Sequence, residues 1–227
     1  MRVAVISDVH GNAFALEQVI RDLRSESPDL ILNLGDQVYG RADPARAFEM
    51  QRNLRAVEVL GNCELLLEGE DALASWIRGQ IPPESLEHLT GLPLTARVLN
   101  GEILACHGDL TDPNGQLFWS WQGGPYSTET IPQLRQKLEG ISARVILCGH
   151  THREALTRLN DTLIVNAGAV SAQIDGDPRA HWTLLERRKN VWSLDFRRVV
   201  YDCAAAAKWA LEHAPDAEEE AEFLLKG

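Results

Sequence analysis

Five short apolar runs, each ending in a polar cluster, constrain this chain more than any other feature of its sequence. The runs begin at Val3, Leu30, Val57, Ile103 and Val145, and each spans four or five residues. Runs of this length that stop at glycine and polar residues are typical of strands buried on both faces of a sheet. Ligands of open α/β sheets bind beyond the carboxyl ends of the strands. The five polar clusters therefore predict a functional site at these strand ends.

The length, charge and cysteine pattern of the chain limit the number of domains, the partners and the compartment that we expect. A chain of 227 residues suits one domain, which we expect to span residues 1–227. The net charge of −11 would repel a nucleic-acid backbone or an anionic membrane, and it argues against both as partners. The four cysteines form no CxxC pair, and the sequence shows neither a signal-peptide pattern nor a spanning apolar stretch. We therefore expect a cytoplasmic, reduced protein.

The pattern between the runs predicts alternating strands and helices in the first half and mostly strands in the second. The expected elements are helices over 13–24, from 43 onward, over 126–140 and over 204–213, a hairpin over 94–106, and antiparallel strands over 162–165, 180–186 and 191–199. Residues 79–91 contain two adjacent prolines and are predicted to be a surface crossover. This order indicates an α/β fold of two packed sheets with helices outside.

The polar clusters contain the residue types that bind a pair of metal ions. Two cations about 3.5–4 Å apart can hold phosphoryl oxygens, activate water and stabilise a leaving group. The candidate ligands are Asp8, His10, Asp36, Asn62, His107, His150 and His152. Taken singly, Asp36 is also explained as a helix cap and Asn62 as part of a turn. The joint occurrence of four of the seven histidines at strand ends favours the metal site.

The order of these motifs resembles the calcineurin-like metallophosphoesterase superfamily. The matching motifs are Asp8-x-His10, Gly35-Asp36, Gly61-Asn62, His107-Gly108 and Gly149-His150-x-His152, and Asn166 to Val170 is similar to a later family segment. The resemblance implies a four-layer α/β/β/α sandwich of two mixed β-sheets flanked by helices. It also implies hydrolysis of a phosphoester by in-line attack of a metal-bridging hydroxide.

The resemblance further implies which residues would bind each ion. One ion would be held by Asp8, His10, Asp36 and His152. The other would be held by Asp36, Asn62, His107 and His150, with Asp36 bridging. A mixed His, Asp and Asn set suits Mn²⁺, Fe²⁺ or Zn²⁺ and argues against Ca²⁺. We expect two divalent metal ions as cofactors, with Mn²⁺ as the first choice over Fe²⁺ or Zn²⁺.

One position departs from the family pattern. Most members of the superfamily carry histidine after the Gly-Asn pair, where it stabilises the transition state or protonates the leaving group, whereas this chain has Cys63. Cysteine at this place is similar to a smaller bacterial and archaeal phosphodiesterase branch related to a retromer subunit. Cys63 is either a catalytic thiol or a small residue that fills the space. Loss of the imidazole should cost most rate where the leaving group is poor, which favours activated or diester substrates.

Residues beside the metal motifs are candidates for substrate contact, and each has a structural alternative. Asn12 could bind a phosphoryl oxygen or cap the helix that follows it. Arg153 could contact a substrate phosphate or form a surface ion pair with Glu154. Trp119 and Trp121 could stack on a base, although packing in the core or between subunits is the favoured explanation.

Three functions are compatible with the sequence. The leading one is a dinuclear-metal-dependent phosphodiesterase or nucleotide phosphohydrolase that acts on a small soluble substrate. The second is a protein or dinucleoside-polyphosphate phosphatase, against which the missing histidine and the short chain weigh. The third is a non-catalytic interaction scaffold that retained the fold, against which the intact ligand set weighs. The expected partner is a small phosphorylated molecule, and the formation of a homo-oligomer is left open.

Overall fold

The computed structural model describes residues 1–120 and 127–227 as two mixed sheets and a small third sheet, with helices packed outside. The strands are β1 Arg2–Ile6, β2 Leu30–Asn33, β3 Val57–Glu58, β4 Thr95–Val98, β5 Ile103–Cys106, β6 Trp119–Ser120, β7 Ser127–Thr128, β8 Val145–Cys148, β9 Glu154–Leu159, β10 Thr162–Ala167, β11 Ala180–Arg188 and β12 Val191–Val199. The α-helices are α1 Ala13–Ser25, α2 Pro44–Leu54, α3 Asn62–Leu66, α4 Ala72–Gln80, α5 Pro83–Thr90, α6 Ile131–Lys137, α7 Cys203–His213 and α8 Glu218–Lys226.

The first five-stranded sheet has the order β12-β11-β1-β2-β3. Strand β1 lies at its centre, parallel to β2 and antiparallel to β11. Successive side chains of a strand point to opposite faces. Val3 and Val5 accordingly enter the core between the two sheets, while Ala4 and Ile6 face the helices outside. This burial on both faces explains the uninterrupted apolar run of β1.

The second five-stranded sheet has the order β4-β5-β8-β10-β9. Its three central strands β5, β8 and β10 are mutually parallel, so their carboxyl ends lie at one edge. Strands β4 and β5 pair antiparallel, which confirms the hairpin predicted over 94–106. The two-residue strands β6 and β7 pair with each other apart from this sheet.

The apolar cores are stacked between these layers. One core joins the two sheets and contains residues such as Leu32, Ile103, Val145 and Trp192. A second packs α1, α7 and α8 on the outer face of the first sheet, and a third packs α6 on the outer face of the second. This layering confirms the predicted α/β/β/α sandwich.

Two helix starts follow from their capping residues. The side chain of Asn12 accepts the backbone N–H of Ala15 at the start of α1, and Asp43 accepts that of Arg46 at the start of α2. Each side chain satisfies one of the N–H groups that a helix N-terminus leaves unpaired. Pro44 occupies the first turn of α2, where no N–H is needed.

Several element boundaries differ from the sequence-based expectation. Strand β3 has two residues rather than four, and the predicted crossover over 79–91 contains the helix α5, which buries Leu89. Helix α6 begins at Ile131, well after the predicted start at Tyr126, and Tyr126 itself lies outside the described residues. Strand β9 was not predicted, because its short sequence carries little local pattern of its own. The acidic run from Asp216 to Glu220, for which a solvated helix face is the favoured interpretation, overlaps the start of helix α8.

None of the helices in the described ranges combines the length and the apolar character needed to cross a membrane.

Candidate metal centre

The seven candidate metal ligands, although scattered from residue 8 to residue 152, come together at the carboxyl ends of the central strands. Asp8 and Asp36 follow β1 and β2, His107 follows β5, and His150 follows β8. Asn62 begins α3, four positions after the last residue of β3. Because the strand ends of both sheets meet here, the gap between the sheets is closed by polar side chains.

Measured distances show how closely the side chains approach. Nε2 of His107 lies 3.4 Å from Oδ2 of Asp36 and 3.0 Å from Oδ1 of Asn62. Nε2 of His152 lies 3.3 Å from Oδ1 of Asp8. The Nε2 atoms of His10 and His152, which are 142 positions apart in sequence, lie 3.1 Å from each other. Within groups such as Asp8, His10 and His152, the ligand atoms all lie within 4.8 Å of one another, which is close enough to share one metal ion.

The backbone fixes the orientation of three of these imidazoles. Nδ1 of His10, His107 and His152 lies within hydrogen-bonding distance of the backbone oxygens of Tyr39, Leu34 and Ala172, respectively. A carbonyl oxygen only accepts, so each Nδ1 carries the proton and, in the neutral ring, each Nε2 presents a lone pair. Lone pairs that point at one another repel, and a cation between them would remove the repulsion. This arrangement fits bound metal ions.

The two central carboxyl groups are fully desolvated and need positive charge nearby. Burial opposes ionisation of Asp36, but His107 and His10 hold the pKa of Asp36 well below its usual range. Burial alone would lower the pKa of His107, yet the carboxylates of Asp36 and Asp8 raise it to about 10. Oδ1 of Asp8 is buried and, although Nε2 of His152 lies 3.3 Å away, it has no hydrogen-bond partner in the part of the chain that the structure describes. A divalent cation would supply both the missing charge and the missing partner.

The loops that carry these residues have an uncommon backbone conformation. Asp8, His10, Asp36, His150 and His152 all have a positive φ, between 45° and 66°. Such conformations are rare outside glycine and cost on the order of 1–3 kcal/mol each, so surrounding contacts must hold them. The packing at Gly149 shows how tight these contacts are, because a Cβ there would lie 2.0 Å from the Ser7 hydroxyl.

Glu64, which was not singled out from the sequence, lies beside the candidate ligands and holds two of their loops together. Its buried carboxylate accepts the backbone N–H groups of Asp36, Gln37 and Gly61 over 2.7 to 2.9 Å. Burial and the neighbouring Asp36 carboxylate raise the pKa of Glu64. By binding three N–H groups at once, Glu64 joins the loop after β2 to the loop before α3. The signal in the sequence was an acidic residue beside the Gly61-Asn62 motif.

Comparison with known proteins agrees with this geometry. Residues 1–190 match the family model described as the calcineurin-like phosphoesterase superfamily domain. The chain belongs to this superfamily. A metallophosphoesterase from Sphaerobacter thermophilus has a similar structure, with a TM-score of 0.81 and 26% identity, covering 100% of this chain and 99% of that one.

Two further relatives extend the comparison. A hypothetical protein from Pyrococcus horikoshii OT3 has a TM-score of 0.76 at 16% identity and covers 96% of each chain. An uncharacterized protein of Methanocaldococcus jannaschii is 23% identical over 231 residues, which span 90% of this chain and 89% of that protein.

Members of the superfamily depend on metal ions, and three overlapping groups of side chains in the described residues could hold one. The groups are Asp8, His10 and His152; Asp36, His107 and His150; and His10, Asp36 and Cys63. The first two correspond to the two ligand sets that the motifs imply. The third group joins His10 of the first to Asp36 of the second, so the two groups lie side by side.

The structure places Cys63 beside the candidate ligands, with the side chain nearly buried. Its backbone N–H donates to Oδ1 of Asp36 over 2.8 Å, and the side-chain amide of Asn62 approaches its sulfur at 3.5 Å. Burial and the Asp36 carboxylate raise the pKa of the Cys63 thiol well above its usual range. The group at this position is therefore a neutral thiol while the site holds no cation.

Asn12 and Arg153, the two candidate substrate contacts, have very different surroundings. The Asn12 side chain is fully buried, caps α1, and donates to the hydroxyls of Ser171 and Tyr201. This is the capping role considered from the sequence, and a contact of Asn12 with substrate stays a prediction. Arg153 is exposed and forms no ion pair with any residue of the described ranges. Its neighbour Glu154 pairs with Arg198 instead.

A cavity of about 620 Å³ opens beside the candidate metal ligands. We call it the side cavity, and its walls include Gln116, Trp119, His150, His152, Arg153 and Ile174. The guanidinium carbon of Arg153 lies 5.7 Å from the centre of the Trp119 ring. Trp119 thus lines the cavity and also packs on the core of the second sheet. Trp121, the other tryptophan singled out from the sequence, lies outside the described residues.

Proposed function

We propose that this chain is a metal-dependent phosphoric ester hydrolase that favours small phosphodiesters. The observation that carries the proposal is the convergence of three imidazole Nε2 atoms, each oriented by a backbone carbonyl, on two buried carboxylates. Structural packing alone has no need for this arrangement, since it buries two carboxyl groups away from water and brings several imidazoles together beside them. Membership of the superfamily supports the same conclusion.

The proposed ligand sets follow the strand ends. Asp8, His10, Asp36 and His152 would hold one divalent cation, and Asp36, Asn62, His107 and His150 would hold the other. Asp36 would contact both, because its carboxylate lies 3.4 Å from Nε2 of His107 and 3.7 Å from Nε2 of His10. Imidazole, carboxylate and amide ligands suit Mn²⁺, Fe²⁺ or Zn²⁺, and we propose Mn²⁺ as the first choice.

When bound, two such cations supply charge to hold the phosphoryl oxygens and activate water at neutral pH. The residues of the chain then determine position and access. Backbone carbonyls keep the imidazoles in one tautomer, and Glu64 keeps the Asp36 loop against the Asn62 loop. Burial of Asp8 and Asp36 keeps bulk water away from the carboxylates, which strengthens their attraction for cations.

The preference for activated esters, and with it the choice of an activated diester as substrate, rests on Cys63. No imidazole stands at this position to donate a proton to a leaving alkoxide. Esters whose leaving group departs readily without that proton should therefore react best. Poor leaving groups, such as the alcohol of an unactivated monoester, should react slowly.

The test is hydrolysis of a chromogenic phosphodiester by metal-stripped protein, with and without added Mn²⁺. Turnover that requires the metal and disappears in Asp36→Asn supports the proposal. Glu68→Gln, an exposed change near the end of α3, is the matched control and should retain full turnover. If no divalent metal restores activity to correctly folded protein, the hydrolase is excluded. The non-catalytic scaffold then becomes the better explanation of the fold.

A further inference from the structure

We propose that the side cavity binds a planar aromatic base, so that the substrate is a phosphoester of the nucleotide class. This inference rests on the proposed function for the phosphoryl end of the substrate. The other end of the substrate would occupy the side cavity. The metal-ligand motifs do not determine which alcohol is esterified to the phosphorus. The lining of the side cavity does favour one class of ester substituent.

The location of the cavity ties its occupant to the reacting group. His150 and His152, two of the candidate metal ligands, form part of its wall. A group that fills the cavity therefore lies next to a phosphoryl group held at the metal centre. A volume of about 620 Å³ is within the range of small-molecule sites and exceeds what a phosphate alone would need. The ester substituent is the part of the substrate that remains to occupy it.

The wall of the cavity provides a stacking surface. The Arg153 guanidinium lies over the Trp119 indole, with 5.7 Å between its central carbon and the ring centre. Both groups are planar, and both bind the faces of nucleobases, through cation–π contact and through stacking. Arg153 is exposed and has no ion pair among the described residues, so the guanidinium face that Trp119 does not cover is available to a ligand.

Other parts of the wall suit the same ligand. Ile174 is 41% exposed at the cavity and offers an apolar contact. Nε1 of Trp119 and Oε1 of Gln116 are a buried donor and a buried acceptor that have no hydrogen-bond partner among residues 1–120 and 127–227. Small rotations of these side chains would let them pair with the edge of a base. An aliphatic chain would use neither the guanidinium nor these polar atoms, so a base fits the wall better.

The first arm of the test measures binding without catalysis. Metal-stripped protein is titrated with thymidine and with 2-deoxyribose, and binding is followed by ligand-observed NMR. We expect thymidine to bind about tenfold or more tightly than the sugar, since stacking of one base contributes this much. Trp119→Leu and Arg153→Gln should each remove most of that difference. Trp76→Leu is the matched control, because Trp76 packs against Trp209 elsewhere, and it should change the ratio by less than twofold.

The second arm links the cavity to the reaction. With Mn²⁺ present, kcat/KM is compared for thymidine 5′-(p-nitrophenyl phosphate) and methyl p-nitrophenyl phosphate, which share one leaving group. We expect a preference of about tenfold or more for the nucleoside ester, expressed in KM, and a ratio near one in Arg153→Gln. Arg153 is exposed, so this variant tests the site even if Trp119→Leu folds poorly.

The two arms separate failure of the cavity from failure of the proposed function. Equal binding of thymidine and 2-deoxyribose, or thymidine binding that survives both cavity substitutions, overturns the base site. Equal rates on the two esters overturn it as well, while leaving the hydrolase intact. Base-dependent thymidine binding with no hydrolysis of either ester supports the base site and rejects the hydrolase.

Discussion

The carboxylate of Glu64 accepts the backbone N–H of Asp36 over 2.9 Å and thereby joins the start of α3 to the loop after β2. Since this carboxylate has no exposed surface, its hydrogen bonds are not exchanged with water. The position of Asp36 in the metal centre thus depends on a residue that is not itself among the seven candidate ligands.

We expect Glu64→Gln to weaken both the fold and the metal site. The amide keeps an acceptor oxygen but turns an NH₂ group toward N–H donors, so at least one charge-assisted hydrogen bond is lost. Bonds of this kind contribute about 1.5–3 kcal/mol, and we expect the free energy of unfolding to fall by roughly 2–4 kcal/mol. Urea unfolding measures the loss, and metal titration should show weaker binding. Equal stability of Glu64→Gln and the control Glu68→Gln would contradict this role.

Removal of metal should lower the thermal stability of the protein. Ions that bind the folded state alone stabilise it by about 2.7 kcal/mol when their concentration is one hundred times Kd. For a chain of this size we expect the melting temperature to rise by roughly 5–10 °C per occupied site. Differential scanning calorimetry with chelator and then Mn²⁺ measures the shift. Asp36→Asn should show little of it, and a full shift in that variant would reject Asp36 as a ligand.

Gly149 and Gly79 offer a matched pair of glycine-to-alanine substitutions. A Cβ at Gly149 would lie 2.0 Å from Oγ of Ser7 and 2.7 Å from Oδ2 of Asp8, whereas a Cβ at Gly79 meets nothing within 4 Å. Gly149→Ala should displace Asp8, abolish metal binding at that position and lower the melting temperature. Gly79→Ala lies in α4 and should stabilise by about 1 kcal/mol, because alanine favours a helix. Calorimetry and metal titration of both variants check the contrast.

His181 should make stability fall in mild acid. Its buried ring has no hydrogen-bond partner among the described residues. Burial lowers the pKa of His181 below the usual 6.5, an effect that Glu154, 3.5 Å away, opposes. Arg198 also lowers this pKa, and Asp175 and Asp177 oppose the change.

The direction in which stability changes with pH follows from proton uptake at His181. Below pH 6.5 the unfolded chain binds a proton at His181 that the folded state resists, so unfolding becomes more favourable as the pH falls. Above pH 6.5 His181 is neutral in both the folded and the unfolded chain, so its protonation no longer lowers stability there. The loss of unfolding free energy between pH 8 and pH 5.5 should be smaller in His181→Gln than in the exposed control His213→Gln. Identical pH profiles for the two variants would show that His181 does not contribute.

Restoring an imidazole at position 63 should broaden the range of leaving groups. Cys63→His would place a proton donor next to Asp36, where the backbone N–H of residue 63 already binds. We expect the rate on phenyl phosphate and other poor leaving groups to rise, by roughly tenfold or more, and the rate on p-nitrophenyl diesters to change little. A plot of log kcat against leaving-group pKa should become shallower. An unchanged slope would exclude proton donation as the missing function.

Local patterns made much of the fold predictable. The apolar runs of β1, β5 and β8 are buried on both faces, so they carry a continuous signal that needs no knowledge of partners. Asn12 and Asp43 indicate the starts of α1 and α2, because a capping side chain binds a backbone N–H only three positions further along the chain. The remaining elements form because they pack against distant parts of the chain, so they could not be predicted from local sequence. Helix α8 is stabilised from outside, partly by Glu220 on the distant Arg41, which no local pattern reveals.

The same distinction applies to the metal centre. The identity of the candidate ligands follows from residue type and spacing, but their orientation does not. The positive φ of Asp8 and Asp36 and the carbonyl partners of the imidazoles depend on loops that meet only in the folded chain. The pairing of Arg153 with Trp119 is of the same kind, since the two residues come from separate loops. Such long-range relationships have no signature in a single sequence.

The central position of β1 bears on how this protein forms during synthesis. One edge of β1 can pair with β2 soon after both strands are synthesised. The other edge pairs with β11, so Val5 can pair with Thr183 only when most of the chain has been made. Until then the first sheet has an open apolar edge, and His10 has no counterpart from the loop after β8. Sheets built from such distant pairs fold slowly and are prone to aggregate while incomplete. A nascent chain stalled on the ribosome before β11 should therefore depend on chaperones and acquire metal only after release.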